Sequence, residues 1–410
     1  MKVQLKIFSI EAIRGFAAIY VIIGHIVLLY NPQNFFPQIG FLIKTAFSFG
    51  HQAVILFFIV SGFSIHYSTQ LKKRNLQKTK KEYFFSRWKR LYPLFFLSLI
   101  LSMLVLYMIQ IPSSNLRNYL SFVFLTDISK GSFSDPLPTN FPIWSLSYEV
   151  LYYLVYPFLW VYISKYSIQK IFFYSIVLSI VASLISSFCY PNHLTNVFQY
   201  YWTWVAGAWI ADMKLKNTKV SAKYFKGSIV FCLALMLTLE NVFILRDWFW
   251  ALFFVLILIS YFSKIEGSTQ KQTILNFTIG TLGILFAFLV TNIESAVFHP
   301  VLLRYLLVGI LFFMLFFLVI PFHKFQKVLR VSLYPFVSIG SFSYALYIFN
   351  WPIILLFKYY FISWAELSFL NMSALIFVNF AFIFLLSWVL EMKLQQKISA
   401  QLSKMYVRFN

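Results

Sequence analysis

Long apolar runs separated by short polar breaks extend along almost the whole chain. A helix needs roughly 20 mostly apolar residues to cross the hydrocarbon core of a bilayer, so each full-length run predicts a membrane span. Because 198–213 is short and few polar residues divide 227–245 from 247–263, the pattern predicts ten to twelve spans. The runs lie near residues 10–30, 41–67, 91–110, 142–163, 170–190, 198–213, 227–245, 247–263, 274–293, 301–322, 335–358 and 370–391. We therefore expect an all-α, polytopic membrane helix bundle that forms one domain over residues 1–410.

The composition supports a membrane protein and excludes several other classes. Hydrophobic residues make up 60% of the chain and charged residues 11%, whereas soluble domains have roughly 45–50% and about 25%. A soluble cytosolic enzyme, a disordered chain, a collagen and a secreted disulfide scaffold are inconsistent with these values. The two cysteines, Cys189 and Cys232, lie in apolar surroundings, so no disulfide framework is expected.

The distribution of basic residues predicts the orientation of the spans. The chain has 34 basic and 12 acidic residues, a net charge of +22 that would suggest nucleic acid in a soluble protein. Here the loop 31–40 has no charged residue, and the basic residues concentrate at 68–90, 213–226, 322–333 and the tail 392–410. Since positive residues mark the cytoplasmic side, we expect both termini, the tail and the loop 68–90 to be cytoplasmic and the loop 111–141 to lie outside. The charge is then explained without a nucleic-acid partner.

The first span carries three groups that a bilayer disfavours, and such groups mark functional sites by default. Arg14 and His25 are eleven residues apart, so they share one helix face at a separation of about 16 Å. Glu11 lies one turn before Arg14 and could pair with it. For His25 two interpretations stay open: a packing histidine bonded to backbone, or a general base near mid-membrane. Because the apolar stretch contains these groups, a cleaved signal peptide is not expected.

Two further motifs each admit a structural and a functional interpretation. Arg87 and Arg90 are one helical turn apart. Two guanidinium groups on one face suit a phosphate or pyrophosphate, although positive-inside anchoring would also explain them. Ser61 and Gly62 would form a close-packing notch between helices, or would admit a ligand near the backbone.

Glu149 is expected at the outer mouth of the span 142–163, close to Trp144 and Tyr148. Aromatic residues there would normally indicate an interfacial belt, but a carboxylate among them could bind sugar hydroxyls or support a base. The six histidines are scattered along the chain and lack ligand spacing, so no metal is expected.

Five motifs in this order resemble the acyltransferase-3 family of bacterial membrane O-acyltransferases, over about residues 8–392. They are the stretch 10–18 followed by His25, the FF-x-x-SGF run 57–63, the R-x-x-R pair followed by Tyr92-Pro93, the WSLS-x-E run ending at Glu149, and the run 343–352. Asn350 stands where the last motif commonly has a histidine, and Ile55 stands where many members carry an acid. We expect these two departures to leave the other motif residues, Arg14, His25, Arg87, Arg90 and Glu149, unaffected.

The resemblance implies a cytoplasmic acyl-CoA donor, with acetyl-CoA the first expectation, and a glycan acceptor at a bacterial inner membrane. It places Arg14, Arg87 and Arg90 at the CoA phosphates, and we assign Ser61 and Gly62 to the same donor site. His25 and Glu149 are the expected catalytic residues, with His25 acting as general base or as a transient acyl carrier. The acceptor would be a surface polysaccharide, a lipopolysaccharide O-antigen, an exopolysaccharide or a lipid-linked sugar, and membrane lipid surrounds the protein.

Two other classes remain open at this stage. A transporter or flippase for a lipid-linked sugar also has many spans and a few buried polar groups. A membrane scaffold for glycan assembly would use its polar residues only to hold helices together. Consumption of acyl-CoA distinguishes the acyltransferase from both alternatives. The oligomeric state is not encoded in any motif of the chain.

Overall fold

The computed structural model describes residues 8–31, 43–44, 46–71, 80–111, 116–128, 134–221, 225–238, 243–265 and 322–409, together with residues 40, 276, 278–280 and 282. It is 88% helical, which confirms the helical class. Within these residues eight helices are long and apolar enough to cross a membrane. The spans predicted at 274–293 and 301–322 fall almost entirely outside the described residues. The count of ten to twelve spans and the cytoplasmic termini therefore stay predictions.

The helices follow the apolar runs closely. In chain order they are α1 (Phe8–Tyr30), α2 (Gly50–Leu71), α3 (Lys80–Met108), α4 (Trp144–Lys165), α5 (Ile168–Phe188), α6 (His193–Gln199), α7 (Tyr201–Leu215), α8 (Phe225–Thr238), α9 (Phe243–Phe262), α10 (Phe322–Leu333), α11 (Val337–Gly340), α12 (Ser343–Ala365), α13 (Phe369–Val389) and α14 (Gln396–Phe409). Turns of 3₁₀ helix cover Leu116–Val123, Pro138–Ile143 and Tyr334–Phe336, and a π-helical segment, Leu390–Gln395, joins α13 to α14.

The chain forms two compact units. The first contains Met1–Val60, Leu71–Trp202 and Tyr334–Asn410, and the second contains Ser61–Gln70 and Thr203–Leu333. In the second unit, strands β1 (Lys219–Val220) and β2 (Lys264–Ile265) pair in parallel. Also within it, Gln326 of α10 donates to the carbonyl of Ser260 in α9. His66, a plain interfacial residue by its sequence position, is instead fully buried in this unit.

Several stretches outside the predicted spans are helical or buried. α2 continues to Leu71 and α3 already begins at Lys80, so the basic loop is shorter than 68–90 and the Arg87–Arg90 turn is helical. The tail 392–410 is helical through Phe409, where Ile398, Leu402 and Tyr406 recur at the spacing of an amphipathic face. The end of the outer loop 111–141 is also buried, since Thr139 Oγ1 donates to the carbonyl of Ser102 at 2.6 Å.

Prolines inside three helices of the first unit leave a carbonyl without its usual partner. Proline lacks an N–H, so the carbonyl four residues earlier loses its helical hydrogen bond. Within a bilayer such a group must find a partner inside the protein. In α3 Pro93 frees the carbonyl of Lys89, and Gln395 Nε2 donates to it at 2.7 Å. The side chain thus takes the place of the missing backbone donor.

The other two prolines show the same arrangement. In each case a buried side chain from another element donates to the freed carbonyl: Tyr83 Oη to Tyr153 at 3.2 Å for Pro157, and Asn140 Nδ2 to Ile348 at 3.1 Å for Pro352. The three contacts tie α3 to the C-terminal segment, α3 to α4, and the Pro138–Ile143 turn to α12. Every one of these elements carries or adjoins a predicted site residue.

α1 packs against α11 with almost no space between the two backbones. A Cβ on Gly340 would overlap the carbonyl of Glu11, and a Cβ on Gly15 would overlap the carbonyl of Phe336. Only glycine permits this approach at both positions. The turn of α1 that carries Glu11 and Arg14 is therefore held in place from the α11 side.

The role of Tyr83 as a replacement donor can be tested with a double-mutant cycle. Tyr83→Phe removes only the hydroxyl and leaves the carbonyl of Tyr153 buried and unsatisfied, which costs about 1–3 kcal/mol. Pro157→Ala restores a backbone N–H that can bond to the same carbonyl, so Tyr83→Phe should cost much less in that background. Thermal unfolding of the four proteins in detergent measures the coupling. Equal losses in the two backgrounds would contradict the assignment.

Candidate functional site

The His25 side chain in α1 is hydrogen-bonded to Asn350 in α12, with 2.6 Å between Nδ1 and Oδ1. Asn350 is fully buried, and its Nδ2 donates to the carbonyls of Leu346 at 2.9 Å and Tyr347 at 2.6 Å. Because both amide protons are used there, the amide oxygen is the atom that faces the imidazole. Nδ1 of His25 therefore carries the proton and donates it, and Nε2 keeps its lone pair.

This contact corrects one expectation from the sequence. The departure from the family pattern at Asn350 was expected to leave His25 unaffected, yet Asn350 is its direct partner. The prediction failed because 325 residues separate the two positions along the chain. Trp351 packs edge-on against the imidazole, with ring centroids 4.9 Å apart, and Phe141 lies 6.4 Å from Trp351. His25 as a whole is only partly buried.

Arg14 and Arg90 both face carboxylates. Arg14 Nη1 lies 3.9 Å from Glu11 Oε1, which confirms the pairing expected from their spacing. Arg90 Nη1 lies 2.5 Å from Glu391 Oε1, and Arg90 also interacts electrostatically with Glu11. Glu11 thus connects the predicted arginines of α1 and α3. We call Glu11, Arg14, Arg87, Arg90 and Glu391 the arginine cluster.

Arg87 has different surroundings from the other two arginines. Its guanidinium lies 5.9 Å from the centre of the Tyr83 ring, and its Nε lies 3.4 Å from Ser86 Oγ. No carboxylate among the described residues lies within ion-pair distance of it. Of the three predicted phosphate-binding arginines, Arg87 is therefore the one whose charge is not neutralised by an acid in the described part of the chain.

Sequence reasoning missed Glu391. It is the last residue of the predicted span 370–391 and was treated as the end of an apolar run. In the structure its side chain is 1% exposed, and its Oε2 accepts a hydrogen bond from the backbone N–H of Ala345 at 2.8 Å. The N-cap residue of α12 makes no side-chain capping hydrogen bond. The Glu391 carboxylate therefore accepts from one of the free N–H groups at the start of α12, and its negative charge complements the helix dipole. The signal that the sequence offered for this residue was an acidic side chain at the end of a predicted apolar span.

One face of α12 connects the arginine cluster with His25. Tyr344, Tyr347 and Asn350 follow one another at intervals of one turn. The ring of Tyr344 lies under Arg90 at 5.8 Å, Tyr347 Oη is 2.8 Å from Ser145 Oγ, and Asn350 holds His25. Six residues of helix span about 9 Å. Polar side chains of α12 thus lie at intervals between Arg90 and the imidazole of His25, and we call them the polar path.

Glu149 is partly buried on α4, and its position at the outer mouth of the span stays a prediction. The preceding turn, Pro138–Ile143, is itself buried against α3 and α12, so α4 begins inside the bundle. Glu149 accepts a hydrogen bond from Tyr153 and interacts electrostatically with Tyr344 and Tyr347. It lies beside the path between the arginine cluster and His25. Trp144 is buried and stacks on His51 rather than forming an interfacial belt.

Ser61 and Gly62 belong to the second unit, where they pack against Trp204. A Cβ on Gly62 would overlap the carbonyl of Trp204, and Trp204 Nε1 donates to Ser61 Oγ at 3.4 Å. The space expected to admit a ligand beside Gly62 is thus occupied by backbone. This geometry is that of a helix-packing notch, and the predicted role of the two residues in donor binding gains no support from it.

A buried polar cluster that the sequence did not indicate joins the segment 125–128 to α4 and α6. Asp127 is fully buried, and its Oδ2 accepts a hydrogen bond from Tyr148 Oη at 2.8 Å. Nδ1 of His193 lies 3.8 Å from the same oxygen. Burial lowers the pKa of His193 below its ordinary value of 6.5, although the charge of Asp127 opposes this shift. The cluster fixes the start of α4 and so the position of Glu149.

The long apolar helices define a multi-pass membrane protein, and polar side chains, among them His25 and the arginine cluster, lie between its helices. A family model described as an acyltransferase domain matches residues 7–265. The chain belongs to the acyltransferase-3 family, and its function is that of an acyltransferase. The run 343–352 lies beyond the matched residues. No curated protein and no solved structure matches the chain. Within the described residues, no three His, Cys, Asp or Glu side chains are grouped to hold a metal ion.

Asn350 is expected to control which nitrogen of His25 carries the proton. Asn350→Leu removes the acceptor, so the neutral imidazole should shift toward the form protonated at Nε2, whereas Asn350→Asp should retain protonation at Nδ1. Solid-state NMR of ¹⁵N-histidine-labelled protein in lipid reports the tautomer directly. Asn379→Leu is the matched control, because Asn379 is also buried but donates to Tyr30 Oη. An unchanged His25 spectrum in Asn350→Leu would refute the assignment.

The lowered pKa of His193 predicts a pH-dependent stability. The unfolded chain binds a proton near the ordinary pKa of 6.5 and the folded chain only at lower pH, so protonation favours unfolding. Stability is complete above that value and falls below it by up to about 1.4 kcal/mol per pH unit. Thermal unfolding at pH 7.5 and 5.5 should show a larger loss for the wild type than for His193→Gln. The same loss in both proteins would contradict this origin.

Proposed function

We propose that the protein is a membrane O-acyltransferase. In this proposal it moves an acyl group, with acetyl the first candidate, from cytoplasmic acyl-CoA to a hydroxyl of a cell-surface or lipid-linked glycan at a bacterial inner membrane. The observation that supports it best is the state of His25, whose Nδ1 is held by Asn350 while Nε2 keeps a lone pair. A hydroxyl needs a base to become a nucleophile, and neutral imidazole is well suited to that role.

The proposed reaction uses Nε2 of His25 twice. It first takes the proton of the acceptor hydroxyl as that oxygen attacks the carbonyl carbon of the thioester. The bond from this carbon to sulfur then breaks, an ester forms, and the departing thiolate takes the proton back from the imidazolium to give free CoA. A variant in which Nε2 itself attacks the thioester and briefly carries the acyl group uses the same lone pair.

Arg14 and Arg87 of the arginine cluster support an acyl-CoA donor. CoA carries several phosphate groups, and guanidinium groups bind phosphate with charge-assisted hydrogen bonds. Arg14 lies on the helix that carries His25, about 16 Å away along the axis, and the polar side chains of α12 lie between Arg90 and His25. Tyr153 holds Glu149 beside the polar path. We therefore propose that Glu149 assists the transfer of the acyl group and does not bind a sugar outside the membrane.

Membership of the acyltransferase-3 family favours the enzyme over the transporter and scaffold alternatives. The proposed reaction needs no metal ion, since imidazole performs the proton transfers. The identity of the acceptor rests on the resemblance of the motifs alone. Experiments on the purified protein alone can therefore test two parts of the proposal, which are the acyl-CoA donor and the role of His25 as the base.

The test compares wild type with His25→Gln in nanodiscs supplied with acetyl-CoA, with and without added lipopolysaccharide. Free CoA release should fall by about 10²-fold or more in His25→Gln, since that is the range for loss of a general base. His323→Gln is the matched control, because His323 is exposed on α10. A folded His25→Gln protein that releases CoA at the wild-type rate would exclude both versions of the reaction.

A further inference from the structure

The two arginines of the R-x-x-R pair are bound to the rest of the protein in different ways. Arg90 forms a 2.5 Å ion pair with Glu391, and its guanidinium lies over the ring of Tyr344. Arg87, one turn earlier on α3, has no carboxylate partner among the described residues and remains partly exposed. The pair therefore does not offer two equivalent guanidinium groups to an anion.

Glu391 is engaged on both of its oxygens. Oε1 contacts Arg90, and Oε2 accepts from the backbone N–H of Ala345 at the start of α12. Its side chain is only 1% exposed. The Arg90 side chain is 36% exposed, so it is the loss of Arg90, which leaves the buried carboxylate without its cation, that is strongly unfavourable. The contact thus joins three elements: α3, α12 and the π-helical segment that follows α13.

Gln395 adds hydrogen bonds to the same contact between the C-terminal segment and α3. It lies one turn after Glu391, and its Nε2 donates to the carbonyls of Lys89 at 2.7 Å and Arg90 at 3.2 Å. π-Helical turns are rare and occur frequently at functional sites, and this one directs both Glu391 and Gln395 at the same turn of α3. Further on, Ser403 Oγ accepts from Lys89 Nζ at 2.7 Å. The C-terminal segment therefore holds the backbone and one arginine of this turn.

We propose that the two arginines have separate roles, and that Glu391 is a positioning residue. Arg90, locked by Glu391, is a structural strut that fixes the turn of α3, and Arg87 supplies the guanidinium that binds a phosphate of the acyl donor. The inference rests on the proposed function, since it assigns the donor contact within that site. It also gives a role to residues 390–395, which lie outside the stretch matched by the family model.

Electrostatics favour this division. A phosphate that approached Arg90 would also approach the carboxylate of Glu391, and the repulsion between these like charges opposes its binding. At Arg87 no acid in the described residues opposes the anion, and the nearest aromatic group is the ring of Tyr83. The sequence pattern alone predicts equal roles for both arginines, because the acid that distinguishes them lies 301 residues after Arg90.

The test measures CoA binding by calorimetry in phosphatidylcholine nanodiscs, with thermal unfolding of the same samples. Arg87→Gln should raise the Kd for CoA by about tenfold or more, which corresponds to one charge-assisted contact. Lys81→Gln, an exposed charge on the same helix, should leave the Kd unchanged. Arg90→Met and Glu391→Gln alone should each lower the unfolding temperature, because each leaves a partner unpaired.

The double variant Arg90→Met with Glu391→Gln gives the decisive result. It removes one charge of each sign, and glutamine can still accept from the N–H of Ala345. Its unfolding temperature should lie much closer to that of the wild type than the unfolding temperature of either single variant does. Its Kd for CoA should be within about threefold of the wild-type value. A folded double variant that binds CoA as weakly as Arg87→Gln would overturn the proposal, and so would wild-type affinity in Arg87→Gln.

Two further outcomes separate this inference from its premise. If the wild type binds no CoA, the donor in the proposed function is wrong and the role of Arg87 falls with it. If the wild type binds CoA and only the double variant loses it, the division between the arginines is wrong and the donor stands. Repeating the titration in nanodiscs with phosphatidylglycerol tests whether a lipid headgroup occupies Arg87. A loss of CoA affinity there that is absent in Arg87→Gln would assign Arg87 to a lipid headgroup and overturn the proposal, whereas an equal loss in both proteins is repulsion of CoA by the anionic surface.

Discussion

Carbonyl oxygens that prolines leave without a helical partner organise the first unit of this protein. In water such an oxygen is easily hydrated, but in a bilayer its only partners are other parts of the protein. Pro93, Pro157 and Pro352 each create one, and a side chain from another element bonds to each. A proline in this setting does more than bend a helix. It creates a specific acceptor that only a correctly placed donor satisfies, so it selects which elements pack together and at what height.

The chemistry of the site depends on that selection. The contact of Asn140 with the carbonyl of Ile348 places the turn before α4 beside the middle of α12. Asn350, two residues further along α12, then presents its oxygen to His25, because its own amide protons are committed to the preceding turn. The state of the imidazole is thus a consequence of how backbone groups are satisfied in neighbouring helices. A histidine at the same depth without this surrounding could hold its proton on either nitrogen.

Sequence patterns over a few residues predicted the features of the fold that depend only on neighbouring residues. The length of the apolar runs predicted the helices, and helical spacing predicted that Glu11 would pair with Arg14. The partners of Arg90 and His25 could not be found in this way, because they lie about 300 residues away and follow no periodicity. The early start of α3 was missed because Lys80–Lys89 reads as a basic loop, whereas its helix is supported by the stacking of Phe85 on Tyr406. The burial of the Pro138–Ile143 turn before α4 was missed because a loop was assumed to stay outside the bundle.

The bond from Gln395 to Lys89 also sets an order of events during synthesis. The two residues are 306 positions apart, so at translation rates of about 5–20 residues per second the donor emerges roughly 15–60 s after its acceptor. Throughout that interval the helix bearing both arginines already exists, but its kink lacks the donor that satisfies it in the finished protein. The contacts around the arginine pair of α3 are therefore completed last. A nascent chain that stalls before the π-helical segment would be inserted, helical and largely apolar, and still be unable to assemble this part of the site.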